Sequence, residues 1–188
     1  MVPAVPVDRI LDAALVCFGR HGFRHTSIER IAETAGVSRP TVYQRFRGKE
    51  EIFRAVGARL LDAAVAEAEA AAGGDDPLPE RLHAVLYAKF RLVVGQAGDE
   101  VRAELLADAA TVAADLLADF HRRLCDILTE LLAERDDLDP DLVPTRDLAV
   151  LLLDATTGIE QAYAPAETLE RRLRQLVTLT VHALTRST

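Results

Sequence analysis

Apolar residues recur at three- and four-residue spacing along nearly the whole chain, and no stretch shows the sustained alternation of a half-buried strand. Val7 to about His21 carries Ile10, Ala14, Leu15 and Phe18 on one face, and Gly22 marks its end. Thr26-Ser27-Ile28-Glu29 fits a capping box: the Thr26 hydroxyl accepts from the Glu29 amide and the Glu29 carboxylate reaches back. A second helix is therefore expected from there to about Ala35, with Gly36 making the turn. Ser38 is placed to cap a third helix, with Pro40 in its first turn, running to about Phe46. A long helix follows from Lys49 to about Ala72, stopped by Gly73-Gly74-Asp75-Asp76-Pro77. The next spans Leu78–Val94 and ends at Gly95-Gln96-Ala97-Gly98. Asp99–Arg135 is helical by pattern but too long for one piece, so a break is expected near Ala110. After an acidic, proline-bearing loop at Asp136–Pro144, Thr145–Ala162 and Ala166–Thr185 form the last two helices, separated at Pro165.

The expected fold is all-α, with about nine helices. A three-helix unit occupies residues 1–48, behind a short arm at 1–6. A helical body occupies 49–188, with 49–72 as the connecting helix.

The chain has 188 residues, 49% of them apolar, enough to bury a sizeable core. No apolar run approaches the roughly 20 residues of a membrane helix, and the N-terminus lacks the basic and apolar regions of a secretion signal. Cys17 and Cys125 lie far apart in no metal-like spacing, which suits two reduced thiols in a cytoplasmic protein.

The net charge of −8 argues against nucleic acid until its distribution is considered. Residues 1–54 hold nine Lys and Arg against six Asp and Glu, giving +3; the remainder carries −11. A basic head on an acidic body favours phosphate contact by the head alone.

The head has the helix-turn-helix layout, in which the second helix of the pair enters the major groove. Ile28, Ile31, Ala32, Val37, Val42 and Phe46 are placed to form a small core with Ile10, Leu15 and Phe18. The remaining third-helix residues then face outward: Arg39, Pro40, Thr41, Tyr43, Gln44 and Arg45. Arginine forks onto guanine, glutamine pairs with adenine edges, and threonine and proline touch a thymine methyl. Tyr43 and Lys49 are better suited to phosphate, which fixes register.

Gly22-Phe23, Thr26, Ile31-Ala32, Ala35-Gly36-Val37-Ser38, Thr41-Val42-Tyr43, Phe46 and Lys49-Glu50 together resemble the N-terminal signature of the TetR family of transcriptional regulators, over residues 7–54. The resemblance implies a homodimer of all-helical subunits, usually a repressor released from a palindromic operator by a small molecule. It also implies DNA contact by Thr26 and Ser38 at the helix starts, with Thr26 on phosphate. Arg39, Pro40, Thr41 and Gln44 become base-side positions, and Tyr43 and Lys49 backbone contacts. Arg45 departs from the family, which very often has histidine there; arginine still suits phosphate.

In the body, Leu148, Leu152, Ala155 and Ile159 form one stripe, and Leu169, Leu173, Leu176, Thr180 and Leu184 another. Paired across a two-fold axis these make a four-helix bundle, as binding two half-sites requires; the alternative is that both stripes face their own subunit's core. Pocket candidates by spacing are His83, Tyr87, Phe90 and Arg91, then His121 with Cys125, then Thr157 with Gln161. His121 and Cys125 lack an evident third ligand, so neither metal nor cofactor is expected. Only four aromatic residues follow residue 54, so an apolar, acyl-chain-like effector fits the interior better than a planar cation. Two other readings remain: a DNA-binding regulator without a small-molecule effector, controlled by a protein or acting as an activator, and a helical enzyme. The chain lacks G-x-S-x-G, H-E-x-x-H and a phosphate-binding glycine loop, which disfavours the enzyme.

Overall fold

The computed structural model describes residues 7–94, 99–134, 143–162 and 164–184, with side chains for all of these except 93, 94, 99–103 and 184. Every regular element among the described residues is helical: α1 (Val7–His21), α2 (Ile28–Ala35), α3 (Arg39–Tyr43), α4 (Lys49–Ala72), α5 (Leu78–Val94), α6 (Asp99–Val112), α7 (Ala114–Ala133), α8 (Thr145–Glu160) and α9 (Ala166–Leu184). None is long and apolar enough to cross a membrane. Two boundaries differ most from the expected ones. α3 stops at Tyr43, three residues short of Phe46, and the long helical stretch breaks at Ala113, not near Ala110.

The chain divides into two compact units, residues 1–61 with 96–117 and residues 62–95 with 118–188. The expected division at 48/49 falls inside the first of these units. Ile52, Phe53 and Val56 on the first half of α4 belong to the core of the first unit, and Leu105, Ala109 and Val112 on α6 pack against it. α4 and α7 each contribute to both units.

The first unit is built around Ile10, Phe18, Ile31, Val42 and Ile52. Leu15 and Val37, expected in this core, are only partly buried at its edge; Leu11 and Cys17 are inside it. Phe18 meets Phe53 edge-on at 5.3 Å between ring centres, and Phe23 lies 4.8 Å from Phe53, geometry favoured by the aromatic quadrupole. The joint between α6 and α7 is held by Arg54, which forks onto Asp115 at 2.7 and 2.6 Å and also donates to Val112 O at 2.7 Å.

The second unit has an aliphatic interior: Val65 from α4; Leu82, Val85 and Leu86 from α5; Leu124, Leu128 and Leu132 from α7; Leu152 and Leu153 from α8; Leu169 and Leu173 from α9. Each such side chain contributes about 1.5–3 kcal/mol on burial. Arg81 on α5 fastens this unit, donating Nε to Ala72 O at 2.9 Å and pairing with Glu134 at 2.8 Å.

This interior corrects the expected subunit interface. Leu148, Leu152, Leu169 and Leu173 are buried in their own subunit, so the first half of each stripe is core. Ala155, Ile159, Leu176 and Thr180 are half-buried, and the Leu184 side chain lies outside the described residues. The outward apolar residues are others: Val150, Leu151 at 57% exposure and Leu179 at 68%.

Candidate nucleic-acid interface

α1, α2 and α3 carry the basic head, and the turn between α2 and α3 fixes its geometry. Gly36 takes φ +63°, a left-handed conformation, and a Cβ there would lie 2.6 Å from Arg9 Nη2. The Gly36 amide donates to Glu33 O at 3.0 Å and the Val37 amide to Ala32 O at 2.9 Å, closing α2. Ser38 then caps α3: its Oγ accepts from the Thr41 amide at 3.3 Å and lies 2.8 Å from the Thr41 hydroxyl. Pro40 sits in the first turn, where its missing N–H costs nothing. Val42 is the one buried residue of α3 and anchors it to the core.

The opposite face of α3 is open. Arg39, Pro40 and Gln44 are exposed, Tyr43 is 51% exposed, Arg45 is exposed just past the helix, and Thr41 is half-buried against Ser38. Ser38, Arg39, Pro40, Tyr43, Gln44 and Arg45 are therefore all exposed, with Thr41 half-buried among them. Gln44 stands just beyond α3 as its C-cap rather than within it. The Arg45 and Arg47 guanidinium groups form no ion pair among the described residues, although the Arg47 amide donates to Glu51 Oε2 at 2.6 Å.

Two expected contacts are corrected. Thr26 is 2% exposed, and its hydroxyl donates to Gly22 O at 2.7 Å and to Cys17 O at 3.2 Å. It ties α2 to the end of α1 and does not present its hydroxyl to phosphate. The cap of α2 is Ser27, one residue later, whose Oγ accepts from the Arg30 amide at 3.3 Å. Lys49 is also committed inside the protein. Its ammonium donates to Phe23 O at 2.7 Å and Arg24 O at 3.3 Å, and lies 4.4 Å from the centre of the Phe23 ring.

Glu29, given a capping role in the sequence, has a further partner on α3. Glu29, in the first turn of α2, pairs with Arg39 at 2.5 Å. Hydrogen bonds from its own amide and the Ser27 hydroxyl, with Arg39 beside it, hold its carboxyl below the usual range.

In the second unit the pocket candidates take varied positions. His83, Tyr87 and Phe90 stack along α5, with ring centres 5.5 and 5.9 Å apart. Burial lowers the pKa of His83, with Arg174 adding to it, and its Nε2 has no partner. Arg91 is exposed and pairs with Glu67 at 2.5 Å; Gln161 is exposed beyond α8. Cys125 is buried and His121 half-buried, with no bond between them among the described residues. Thr157 is joined instead to two charged residues absent from the expected set: Lys89 donates to Thr157 Oγ1 at 3.1 Å and to Glu160 Oε2 at 2.6 Å. Lys89 falls at i+3 from Leu86 and i+7 from Leu82, and Glu160 at i+4 from Thr156 and i+7 from Leu153. A charge on the apolar side of a helix was the available signal.

The family model described as bacterial regulatory proteins, tetR family, matches residues 10–56, the segment from α1 into α4. The HTH-type transcriptional repressor ComR of Escherichia coli is 41% identical over 63 residues, 34% of this chain and 30% of that protein. The chain thus matches less than a third of that relative's length. Over nearly the whole chain the likeness is one of fold. The repressor SmeT of the Stenotrophomonas maltophilia multidrug efflux pump SmeDEF superposes with a TM-score of 0.68 at 23% identity, covering 96% of this chain and 90% of that one. FadR of Bacillus subtilis, solved with stearoyl-CoA, gives 0.58 at 20% identity over 92% and 97%.

Proposed function

We propose that the chain is a member of the TetR family of bacterial regulatory proteins, whose model matches residues 10–56, and that it is a sequence-specific, DNA-binding transcription regulator of the cytoplasm. In this reading it represses by holding a palindromic operator, releases it when a small molecule binds the second unit, and acts by binding rather than by catalysis. The observation that carries the reading is the division of α3: Val42 is sealed into the core while Arg39, Pro40, Tyr43 and Gln44 stand exposed on the other side. That arrangement suits a helix lying in the major groove, with arginine and glutamine meeting base edges. Tyr43, Arg45 and Arg47 are the candidate phosphate contacts, in place of Thr26 and Lys49.

Two half-sites call for two heads. The proposed dimer surface is the outward face of α8 and α9, with Leu151, Ala155 and Gly158 on one and Leu176 and Leu179 on the other. Small residues such as Ala155 and Gly158 let helices of two subunits approach closely. α4 runs from the DNA-binding unit into the second unit, so an effector preferring one conformation of the latter would shift the population able to engage both half-sites. Stearoyl-CoA bound to FadR supports a small-molecule effector for proteins of this fold.

Selection of bound duplexes from random DNA tests the reading. A palindromic consensus is expected, and Arg39→Ala or Gln44→Ala should relax the preference at single positions by about 1–3 kcal/mol. Failure to retain any duplex at low salt would refute DNA binding; a consensus without two-fold symmetry would refute the dimeric mode.

A further inference from the structure

Among the described residues of the second unit, the side chains that are both polar and buried are Lys89, Thr156 and Glu160. They converge at the last turn of α8. The Lys89 ammonium, donating to Glu160 and Thr157, places a cation where the helix carbonyls concentrate partial negative charge. Thr156 satisfies itself on Leu152 O at 2.7 Å. Glu160 does not: its side chain is 4% exposed, Oε2 takes the Lys89 proton donor, and Oε1 is buried with no partner among the described residues. The helix faces that carry this pair are otherwise aliphatic, with Leu82 and Leu86 on α5 and Ala149 and Leu153 on α8.

A buried ion pair is a poor way to hold two helices together, because an apolar pair of similar volume does as well or better. A carboxylate oxygen left without a donor makes it poorer still. An apolar surround with a few convergent polar groups is instead the composition of a ligand site.

Building on the sensor role proposed above, we infer that Glu160 Oε1 anchors the effector, and that the effector is an apolar molecule bearing a neutral O–H or N–H donor. The charge pattern selects this class. An anionic head group would face the lone pairs of the carboxylate, with Lys89 already engaged. A cation would shed its hydration for a carboxylate already shared with Lys89. A hydroxyl or amide N–H costs little to desolvate and completes the coordination of Oε1. Burial pushes the Glu160 carboxyl up, against the lowering effect of Lys89, so a further donor stabilises its charged form. Among the apolar, acyl-chain-like effectors suggested by the composition, one ending in a carboxylate is thereby disfavoured at this position.

The test uses the full chain without DNA. Octanol, decanol, cyclohexanol and menthol are titrated calorimetrically and by thermal shift, each beside its methyl ether and the carboxylic acid of the same skeleton. At least one alcohol should bind about tenfold or more tightly than its ether, the effect of one hydrogen bond to a charged acceptor, and more tightly than its acid. The double variant Lys89→Met with Glu160→Leu replaces the pair by apolar side chains and should abolish that discrimination while keeping the circular dichroism spectrum. Equal binding of alcohol and ether, no binding by any alcohol, preference for the acid, or discrimination surviving in the folded double variant would each overturn the inference. Should that variant not fold, the alcohol-to-ether ratio of the wild type decides alone. Failure to select an operator leaves these titrations unaffected. Alcohol binding that never changes operator affinity would refute the effector-release reading while leaving the site standing.

Discussion

Lys49→Met separates a role in holding the fold from a role in holding DNA. The Lys49 ammonium reaches Phe23 O at 2.7 Å and Arg24 O at 3.3 Å and rests over the Phe23 ring. Methionine keeps most of the aliphatic stem but removes the charge and the donors. The hydrogen bond to Phe23 O is charge-assisted and partly buried, so its loss costs about 1.5–3 kcal/mol. The contact with the ring adds about 0.5–1 kcal/mol. Arg24 O lies toward solvent, where water replaces the lost donor. The net destabilisation is then about 2–4 kcal/mol, and at about 2–4 °C per kcal/mol for a chain of this size the melting temperature falls by roughly 4–16 °C. Lys49 as a phosphate contact would do something different: its removal would lower the slope of log affinity against log salt by about 0.9. Circular dichroism melting, together with anisotropy of a labelled operator duplex over a salt series well below the melting point, measures both. A lowered melting temperature with an unchanged slope is expected. An unchanged melting temperature with a slope reduced by about 0.9 would refute the intramolecular role.

Two neighbours on α8 should behave oppositely. Leu152→Ala, at a buried position, should cost about 2–5 kcal/mol in chemical unfolding; Leu151→Arg, at an exposed one, should leave the subunit folded and shift sedimentation equilibrium from dimer to monomer. Asp115 supplies a prediction in pH: the Arg54 guanidinium holds its carboxyl at about 2, against 3.8 for the free group. Because the folded value is the lower one, this contribution to stability is present above pH 3.8 and is lost as pH falls toward about 2. Asp115→Asn should therefore flatten the acid limb of the stability profile in that interval, and a carboxyl carbon resonance titrating near 3.8 in the wild type would contradict it.

The helices and turns of the first unit were legible because their punctuation is local. Gly36, Ser38 and Pro40 act within a few residues of themselves, and their geometry follows from backbone chemistry. What local chemistry could not supply was partnership at a distance. Thr26 and Ser27 are adjacent hydroxyls with equal capping potential; only the approach of α1, through Cys17 O and Gly22 O, decides which is buried. Lys49 looks like a surface cation until Phe23 and Arg24 are folded back beneath it. On α8 and α9 an apolar stripe announces burial without saying against what, so Leu148 and Leu169 were assigned to a partner subunit although their own subunit encloses them. Lys89 and Glu160 are far apart in the chain, and their pairing exists only once α5 packs on α8. α3 was expected to be longer because Phe46, buried like Val42, continues the inward spacing after the helix itself has ended.

The brevity of α3 bears on how such a protein acquires new targets. Five residues are too few for a helix to persist unaided, so its shape is lent to it by the Ser38 cap, the Gly36 corner and the single buried Val42. The side chains that would meet DNA contribute almost nothing to that loan. Arg39, Tyr43 and Gln44 are therefore interchangeable letters on a fixed frame, and a lineage carrying this frame is free to rewrite the address it recognises without re-solving the problem of folding.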